Sequence, residues 1–594
     1  MADWRRHLPL AWLLSWSLIL ATLMLGPALA RGYVLSYDMV WVPDLALRPD
    51  FWGVGSGLPR AVPSDAVVSV LDEVVPGMLL QKLVLVGTLV VAGLGAARLT
   101  DPSSLSAQLV ALTLYLWNPF VAERLLIGHW PVLVAYATLP WVILTAGRWR
   151  TTGRLPAGLW CLLPLGSLSA SAGLITAVAL LAFGTTRSLR GWVLPAALAV
   201  AANAPWLAAG LLHAASAVTD PTGAEVFAAR GEGSMPAPVA ALTLGGIWNS
   251  EVVPPSRTGW AGWTALVLMV ALVALGWRRW SRRAGRRQVS AYVGCWVVGL
   301  GCAMLTWAAP EQAAWVVTNV PGAGVLRDGA RMLALCAPVL AAAAGYGAAR
   351  VAAAVPAPAR PATLVALLLA PIAVLPDVAF GFSGRLSANE FPSDYATARE
   401  VVARSAEKGV AEKGGGDKGG ADKGGAEKGE AGDVLLLPLS SYRQPEWNDH
   451  RKVLDPAGRF LTRDVVAGDD LYVSGVRVAG EDPRVRDAAA ALALPTAGRR
   501  SAGLAALGIG YVVTESGAGT APSVAGETLL SGPDLLVQSL EDPVVRQVPV
   551  TWVVAVACAW VAFAGLFLVG AGAAVRSARP RSGGRGRACP ALLQ

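Results

Sequence analysis

The sequence predicts a polytopic α-helical membrane protein with about twelve transmembrane helices and a small exported α/β domain. Of its 594 residues, 54% are hydrophobic and only 15% are charged, whereas about a quarter of the residues in a soluble chain are charged. Mean hydropathy is +0.51. Apolar runs of about 20 residues, the length that crosses a hydrocarbon core, recur along the chain. These three observations exclude an ordinary soluble protein.

Nine apolar runs are long enough to span a membrane on their own: 8–30, 77–98, 125–147, 191–213, 260–277, 289–309, 331–353, 363–380 and 550–575. A tenth run, 105–117, is short but lies between Asp101-Pro102 and Asn118-Pro119, which are helix boundary signals. The run 155–183 exceeds one span and is interrupted by small residues, so we interpret it as a hairpin of two short spans.

Arginine clusters predict the topology, because cytoplasmic loops accumulate Lys and Arg. With twelve spans every cluster lies on one side, which makes both termini cytoplasmic and exports 381–549. The predicted domains are a transmembrane domain (1–380), the exported domain (381–549), a last span (550–575) and a basic cytoplasmic tail (576–594). An alternative for the first span is a signal peptide cleaved after Ala28-Leu29-Ala30.

The net charge of +9 is explained by these cytoplasmic arginines. No basic face interleaved with exposed aromatic residues is evident, so we expect no nucleic-acid partner. The expected location is the cell membrane.

The exported region has an α/β pattern, with predicted helices at 392–405, 483–493 and 502–507 and strands at 434–437, 509–513 and 534–539. An acid-Lys-Gly unit repeats every five residues within 407–430, and its glycines predict a disordered insert. No nucleophile elbow, phosphate loop or metal-ligand spacing is present. The domain is expected to cap the membrane part or bind an extended partner.

Candidate catalytic residues lie in the first external segment, 31–75. Asp38 and Asp44 are two acids six residues apart beside aromatic residues. Such a carboxylate can deprotonate an acceptor hydroxyl or help to hold a cation. The alternative is that both are solvated loop acids.

A second external loop, 118–130, contains Glu123, Arg124 and His129 at the predicted water boundary. The guanidinium of Arg124 can grip a phosphate through two parallel hydrogen bonds. Alternatively, Glu123 and Arg124 pair with each other to cap helix ends, and His129 is a structural residue.

A third candidate group is Arg327, Asp328 and Arg331, at the start of a span on the outer side. The positive-inside bias should have removed arginines from this side. Their presence suggests an anionic ligand such as a lipid phosphate, although Asp328 can also be a helix cap.

These residues and motifs resemble those of a known family of membrane enzymes. The first-segment aspartates, the motifs Asn118-Pro119-Phe120, Glu123-Arg124 and Gly128-His129-Trp130, and the run 326–329 resemble polytopic GT-C glycosyltransferases, in particular actinobacterial arabinofuranosyltransferase-type and YfhO-like membrane proteins. The resemblance extends to 434–438 and 507–513. It implies that an external aspartate, Asp38 first and Asp44 second, is the catalytic base, and that the donor is a polyprenyl-phosphate sugar.

The function expected from the resemblance is transfer of a lipid-linked sugar to an envelope glycan at the outer face of the membrane. Glu123, Arg124, His129, Arg327, Asp328 and Arg331 would bind substrate. No cofactor or metal site is predicted, and a bound divalent cation remains an alternative. The competing hypothesis is a non-catalytic scaffold for envelope assembly or a lipid-linked glycan transporter.

Overall fold

The computed structural model describes residues 4–55, 57–216, 220–320, 322–414, 432–544 and 546–578. Within them the chain forms a helical bundle and an α/β domain (381–549). The predicted insert from residue 415 to 430 and the tail from residue 579 onwards lie outside the described residues.

Apolar helices make up the bundle. Nine helices of the described chain are long and apolar enough to cross a membrane: Pro9–Leu29, Gly77–Arg98, Leu105–Leu126, Trp130–Thr152, Arg190–His213, Trp260–Ala308, Gly329–Ala354, Ala357–Val374 and Val550–Ala573. Ala170–Gly184 is shorter and also apolar. The chain is therefore a multi-pass helical membrane protein.

The helices that precede the α/β domain are α1 (Trp4–Leu25), α2 (Pro49–Trp52), α3 (Ser64–Leu71), α4 (Gly77–Arg98), α5 (Leu105–Leu116), α6 (Pro119–Leu126), α7 (Trp130–Thr152), α8 (Ala157–Leu165), α9 (Ala170–Gly184), α10 (Arg190–His213), α11 (Thr222–Val226), α12 (Ala237–Leu242), α13 (Trp260–Ala308), α14 (Pro310–Asn319), α15 (Ala337–Ala354), α16 (Arg360–Val374) and α17 (Ala379–Ser383). A 3-10 helix, Gly329–Leu335, leads into α15. The predicted hairpin at 155–183 is the pair α8 and α9.

Two segments that we expected to be loops are helical. Helix α6 occupies most of 118–130, because Asn118 Oδ1 accepts a hydrogen bond from the backbone nitrogen of Val121 at 3.1 Å and Pro119 opens the first turn. The next span therefore begins at Trp130 rather than at residue 125. Helix α14 occupies 310–319, where Pro310 and Glu311 favour a helix start.

The arginine-rich connection between residues 277 and 287 also differs from the expected loop. Helix α13 continues through it and is interrupted only at Gly285, whose φ of 77° and ψ of 157° are not helical. The two predicted spans at 260–277 and 289–309 are thus joined by helical turns that carry the arginines, and the chain redirects at one glycine.

Glycines allow two helices at the centre of the bundle to approach closely. A Cβ at Gly276 of α13 would overlap the carbonyl oxygen of Ala343 in α15, and one at Gly347 of α15 would overlap that of Leu272 in α13. Small residues at such crossings are typical of membrane helix packing. Helix α15 also packs on α5, and α7 packs on α4 and α9.

The strands are β1 (Tyr33–Val34), β2 (Ala388–Asn389), β3 (Asp433–Leu437), β4 (Tyr442–Arg443), β5 (Val453–Leu454), β6 (Val465–Val466), β7 (Leu471–Val473), β8 (Val476–Val478), β9 (Ile509–Glu515), β10 (Glu527–Ser531) and β11 (Leu535–Ser539). The remaining helices are α18 (Ser393–Gly414), α19 (Ala457–Phe460), α20 (Pro483–Leu492), α21 (Ala497–Ala506) and α22 (Val550–Ala578). The main sheet has the order β10-β11-β9-β3-β6, with β3 parallel to β6 and β9.

The α/β domain departs from the predicted pattern in several places. The elements that were not foreseen are β2, β4, β5, β6, β7, β8, β10 and α19. Helix α21 begins five residues earlier than expected, because the Thr496 hydroxyl accepts a hydrogen bond from the backbone nitrogen of Arg499. Helix α18 runs through the first repeat units to Gly414. In these units the high helix propensity of Ala, Glu and Lys outweighs the cost of each isolated glycine, which is about 1 kcal/mol.

Segment 31–75, which follows α1, is held against the α/β domain. Strand β1 pairs with β2 in antiparallel register, Tyr33 with Asn389 and Val34 with Ala388. Buried Arg48 donates to the carbonyl oxygens of Gly458 and Leu461 at 2.7 and 3.1 Å. The segment that contains Asp38 and the α/β domain therefore lie on the same side of the bundle.

Candidate functional site

Charged side chains from three parts of the sequence meet at the end of the bundle that faces the α/β domain. The Oδ2 atom of Asp38 lies 3.3 Å from Nε2 of His129. The same ring nitrogen lies 3.1 Å from Nη2 of Arg331, and Arg331 Nε donates to Oδ2 of Asp328 at 2.8 Å. The structure thus brings four of the predicted site residues, Asp38, His129, Arg331 and Asp328, together in one cluster.

The backbone around Asp38 is fixed from two sides. Its nitrogen donates to the carbonyl oxygen of Ile127 at 3.1 Å, and the preceding residue, Tyr37, has a positive φ of 47°. Gly128 has a φ of 82°, and a Cβ there would overlap the backbone nitrogen of Met39. Glycine therefore permits the close approach that puts Asp38 beside His129.

The Asp38 carboxylate is half-buried and well supplied with donors. The Tyr442 hydroxyl donates to Oδ1 at 2.6 Å, while Oδ2 faces His129, and 39% of the side chain is exposed. Burial works against ionisation, but the hydrogen bonds from His129 and Tyr442 and the positive charge of Arg331 together lower the pKa of Asp38. Asp38 is therefore an anion at neutral pH.

His129 is buried between α6 and α7. Desolvation, followed by the charge of Arg331, lowers its pKa to about 4, although Asp38 acts in the opposite direction. The imidazole is therefore neutral at pH 7. Its Nε2 atom lies near both Asp38 and Arg331, whereas its Nδ1 atom is buried and without a hydrogen-bond partner among the described residues.

Glu123 and Arg124 do not lie at the water boundary as the sequence predicted, because they are in helix α6 and each is only 1% exposed. The Arg124 guanidinium lies over the ring of Phe120, 5.3 Å from its centroid. Its Nε and Nη1 atoms have no hydrogen-bond partner within the described chain, and neither does Oδ1 of Asp328. Buried donors of this kind are costly, and they suit the oxygens of an anionic ligand.

Asp328 links Arg124 to the rest of the cluster. Its Oδ2 atom accepts from Arg331 and, at 3.3 Å, from the indole nitrogen of Trp248. Burial opposes its ionisation, but the charges of Arg331 and Arg124 lower its pKa. Asp328 is therefore more than a helix cap, since two arginine side chains are organised around one carboxylate.

A second buried ion pair, which the sequence analysis missed, adjoins Glu123. Arg257 Nε lies 2.5 Å from Oε2 of Glu232, its Nη2 donates to the Thr243 hydroxyl at 2.6 Å, and the Glu232 carboxylate faces that of Glu123. Arg257 is another arginine at a predicted outer helix end. Its position therefore conflicts with the positive-inside bias in the same way as that of Arg327.

Two predicted site residues are engaged elsewhere. Asp44 is 59% exposed and accepts from Arg399 Nη2 at 2.6 Å, so it joins segment 31–75 to α18. Arg327 pairs with Glu481 of the α/β domain and lies over the ring of Phe227. Neither has a described contact with Asp38 or His129.

An apolar cavity lies beside the cluster, among α5, α13, α15 and α16. Its volume is about 60 Å³, and it is partly open to the surroundings. Its lining is Leu114, Trp117, Asn118, Pro119, Thr243, Leu244, Arg257, Ala265, Leu268, Met269, Ala337, Leu340, Ala341, Pro371, Val374 and Leu375. Its polar end consists of Asn118, Thr243 and Arg257, whose Nη1 has no partner among the described residues. The mostly apolar lining with polar groups at one end suits a small hydrocarbon group that carries a polar head.

Metal ligands are not grouped in the described part of the chain. There, no three His, Cys, Asp or Glu side chains are close enough together to hold a metal ion. The chemistry of the cluster is that of arginines, two carboxylates and a neutral imidazole.

Comparisons with known proteins leave the family of this chain open. No protein-family model and no curated protein matches the sequence. Among solved structures, the chain is similar to the archaeal oligosaccharyltransferase AglB from Archaeoglobus fulgidus in complex with an inhibitory peptide and a dolichol-phosphate, at 13% identity and a TM-score of 0.38, over 86% of this chain and 70% of that one. A likeness with so low a TM-score carries no weight for fold or function.

Proposed function

We propose that this chain is a GT-C-type glycosyltransferase that transfers a sugar from a polyprenyl-phosphate donor to an envelope glycan at the outer face of the membrane. The observation that carries the proposal is the contact network of Asp38, His129, Arg331 and Asp328 beside the buried Arg124. An ionised carboxylate and guanidinium nitrogens that have no partner among the described residues lie at one end of a helical bundle. The carboxylate can accept the proton of an acceptor hydroxyl, and the guanidinium nitrogens can bind a phosphate.

The donor phosphate would bind to Arg124 and Arg331. Arg124 has two buried nitrogens without hydrogen-bond partners among the described residues, and the Arg331 side chain is 29% exposed. Guanidinium groups form charge-assisted, often bidentate hydrogen bonds with phosphate. The negative charge of Asp328 offsets one of these two positive charges, which helps to hold the arginines in place before the donor arrives.

The prenyl unit nearest the donor phosphate would enter the apolar cavity. The polar end of that cavity, at Arg257, is linked through Glu232 and Glu123 to the turn of α6 that carries Arg124. A lipid phosphate bound to Arg124 would therefore lie near the cavity, because a network of buried charged side chains connects the two. The Leu, Ala and Pro side chains of this lining are as apolar as the bilayer from which the prenyl group would enter.

Asp38 would accept the proton in the transfer step. The acceptor oxygen attacks C1 of the donor sugar, the bond from C1 to the phosphate oxygen breaks, and the phosphate leaves with the bonding electrons. The hydroxyl proton passes to Oδ2 of Asp38. A carboxylate of low pKa is a weak base, but it suffices because the cationic sugar ring of the transition state makes the attacking hydroxyl more acidic. Arg124 and Arg331 would stabilise the leaving phosphate.

The proposed topology places the site and the α/β domain on the outer side of the membrane. Both termini would be cytoplasmic, and the α/β domain would lie outside, where an envelope glycan can reach it. Its ion pairs with segment 31–75, such as Arg459 with Asp65 at 2.8 Å, support a cap over the site. Transfer assisted by a divalent cation, which a carboxylate of segment 31–75 would help to hold, is the alternative to metal-free transfer.

The test is a transfer assay with the full chain in proteoliposomes. A panel of radiolabelled polyprenyl-phosphate sugars is offered with an envelope glycan fragment, with and without EDTA, to wild type and to Asp38→Asn. We expect one donor to be consumed by wild type only, and consumption to persist in EDTA. Loss of turnover in EDTA would establish the cation alternative. If no donor is consumed, the scaffold or transporter hypothesis replaces the enzyme, and movement of lipid-linked glycan across the same vesicles separates those two.

A further inference from the structure

The α/β domain contributes backbone and side-chain contacts directly to the segment that carries Asp38. The nitrogen of Tyr37 donates to the carbonyl oxygen of Lys452 at 2.7 Å, and the nitrogen of Leu454 donates to the carbonyl oxygen of Tyr37 at 2.8 Å. Tyr37 therefore forms a parallel bridge with Val453 at the edge of β5. The backbone next to the proposed base is thus an extension of the β4–β5 pair.

Tyr442, on the partner strand β4, reaches the carboxylate itself. Its hydroxyl donates to Oδ1 of Asp38 at 2.6 Å, and its ring meets the ring of Tyr37 edge to face at 5.8 Å. Burial and the adjacent Asp38 charge raise the pKa of Tyr442 well above its usual value. Tyr442 is therefore always a hydrogen-bond donor in this contact.

The strand that carries Tyr442 is held rigidly. The next residue, Arg443, is buried and pairs with Asp455 at 2.6 Å and with Glu515 at 2.7 Å. It also donates to the carbonyl oxygens of Pro438 and Ser440 at 2.8 and 2.9 Å. The Tyr442 hydroxyl consequently has a fixed position, which is the condition for orienting another side chain.

We propose that Tyr442 is a positioning residue for Asp38: by occupying Oδ1, it directs Oδ2 towards His129 and the reacting groups. This inference rests on the proposed function. The charged and titratable groups that face Asp38 are His129, Arg331 and Tyr442, and of these only Tyr442 belongs to the α/β domain. The base would therefore be correctly oriented only while that domain is in place.

The first measurement is the kinetics of Tyr442→Phe in the full chain, with Tyr472→Phe as the matched control, since Tyr472 is 70% exposed in the same domain. Loss of the hydrogen bond raises the pKa of Asp38 by about one unit. The acidic limb of kcat/KM should therefore move to higher pH by the same amount, kcat should fall about tenfold, and KM for the donor should stay constant. An unchanged pH profile would overturn the inference.

The second measurement needs no turnover and so separates this inference from the proposed function. The infrared difference spectrum between wild type and Asp38→Asn titrates the Asp38 carboxyl directly, and the same difference is recorded in the Tyr442→Phe background. A rise of about one unit supports positioning, even if no donor is ever consumed. An identical titration would refute it.

A third variant keeps the inference testable if Tyr442→Phe does not fold. Replacement of Tyr442 by 3-fluorotyrosine preserves the ring and makes the hydroxyl more acidic, hence a stronger donor. The pKa of Asp38 should then fall below the wild-type value in the infrared titration. No shift in this variant would contradict the inference independently of the phenylalanine result.

Discussion

Arg331 Nη2 lies 3.1 Å from Nε2 of His129, although 202 residues separate the two in the chain. His129 of the second candidate group therefore lies in one cluster with Arg331 and Asp328 of the third. Asp38, from the first group, is the next contact of the same imidazole. The predictions below follow from this shared site.

Asp38→Asn should lower turnover about a hundredfold to ten-thousandfold while donor binding is retained, because the amide keeps the shape and loses the negative charge. Turnover and donor affinity are measured on purified protein, with Asp44→Asn in parallel. Asp44 pairs with Arg399 outside the cluster. If Asp44→Asn abolishes turnover and Asp38→Asn does not, the base has been misassigned and the enzyme hypothesis stands.

Arg124→Lys should weaken donor binding about tenfold or more, since lysine keeps the charge but cannot form the two-pronged contact with phosphate. Binding is measured with polyprenyl phosphate alone, and Arg477→Lys, at an exposed position of the α/β domain, serves as control. Arg327→Gln tests the other location. If it weakens binding and Arg124→Lys does not, the phosphate lies at Arg327, as the sequence alone suggested.

His129 should make the protein less stable in mild acid. Its pKa of about 4 in the fold is depressed, so it contributes stability that is present above its unfolded pKa of about 6.5 and lost as pH falls towards 4, by at most about 3 kcal/mol. His129→Gln should therefore show a shallower decline in unfolding free energy between these pH values. Exposed His450→Gln is the control, and a slope equal to wild type in His129→Gln would show that the imidazole titrates normally.

Cysteine labelling should find the α/β domain outside. Ser516→Cys, at an exposed position beyond β9, should react with an impermeant maleimide in intact cells, and exposed Ser188→Cys, between α9 and α10, should react only after lysis. The native cysteines provide the background. The opposite pattern would invert the topology and move the site to the cytoplasm.

Deletion of 415–429 should leave expression and transfer unchanged. These residues are glycines, alanines and charged side chains with almost nothing to bury, and a shorter loop costs little entropy. Expression yield and turnover are compared with the full chain. Loss of turnover at normal yield would instead assign the insert to substrate handling.

Much of this architecture can be predicted from the sequence, because apolar run length and arginine placement are local properties of the chain. Runs of about 20 apolar residues become bundle helices, and the arginine cluster at 277–287 connects two of them. The parallel strands β3 and β9 follow from short apolar runs such as Val434–Leu437. The prediction was wrong where a capping residue starts a helix. Asn118, for example, caps a helix that occupies most of an expected loop.

The composition of the site was decided only by tertiary structure. Asp38 and Asp44 look equivalent in the sequence, yet one contacts His129 and the other Arg399. Arg124 and Arg327 look equally available to phosphate, yet the first is buried with unused donors and the second pairs with Glu481. Tyr442 has no local signal at all, since its role comes from a contact across 404 residues. Hydropathy determines which segments enter the membrane, whereas the pairing of charges at their ends depends on how the helices and the α/β domain pack.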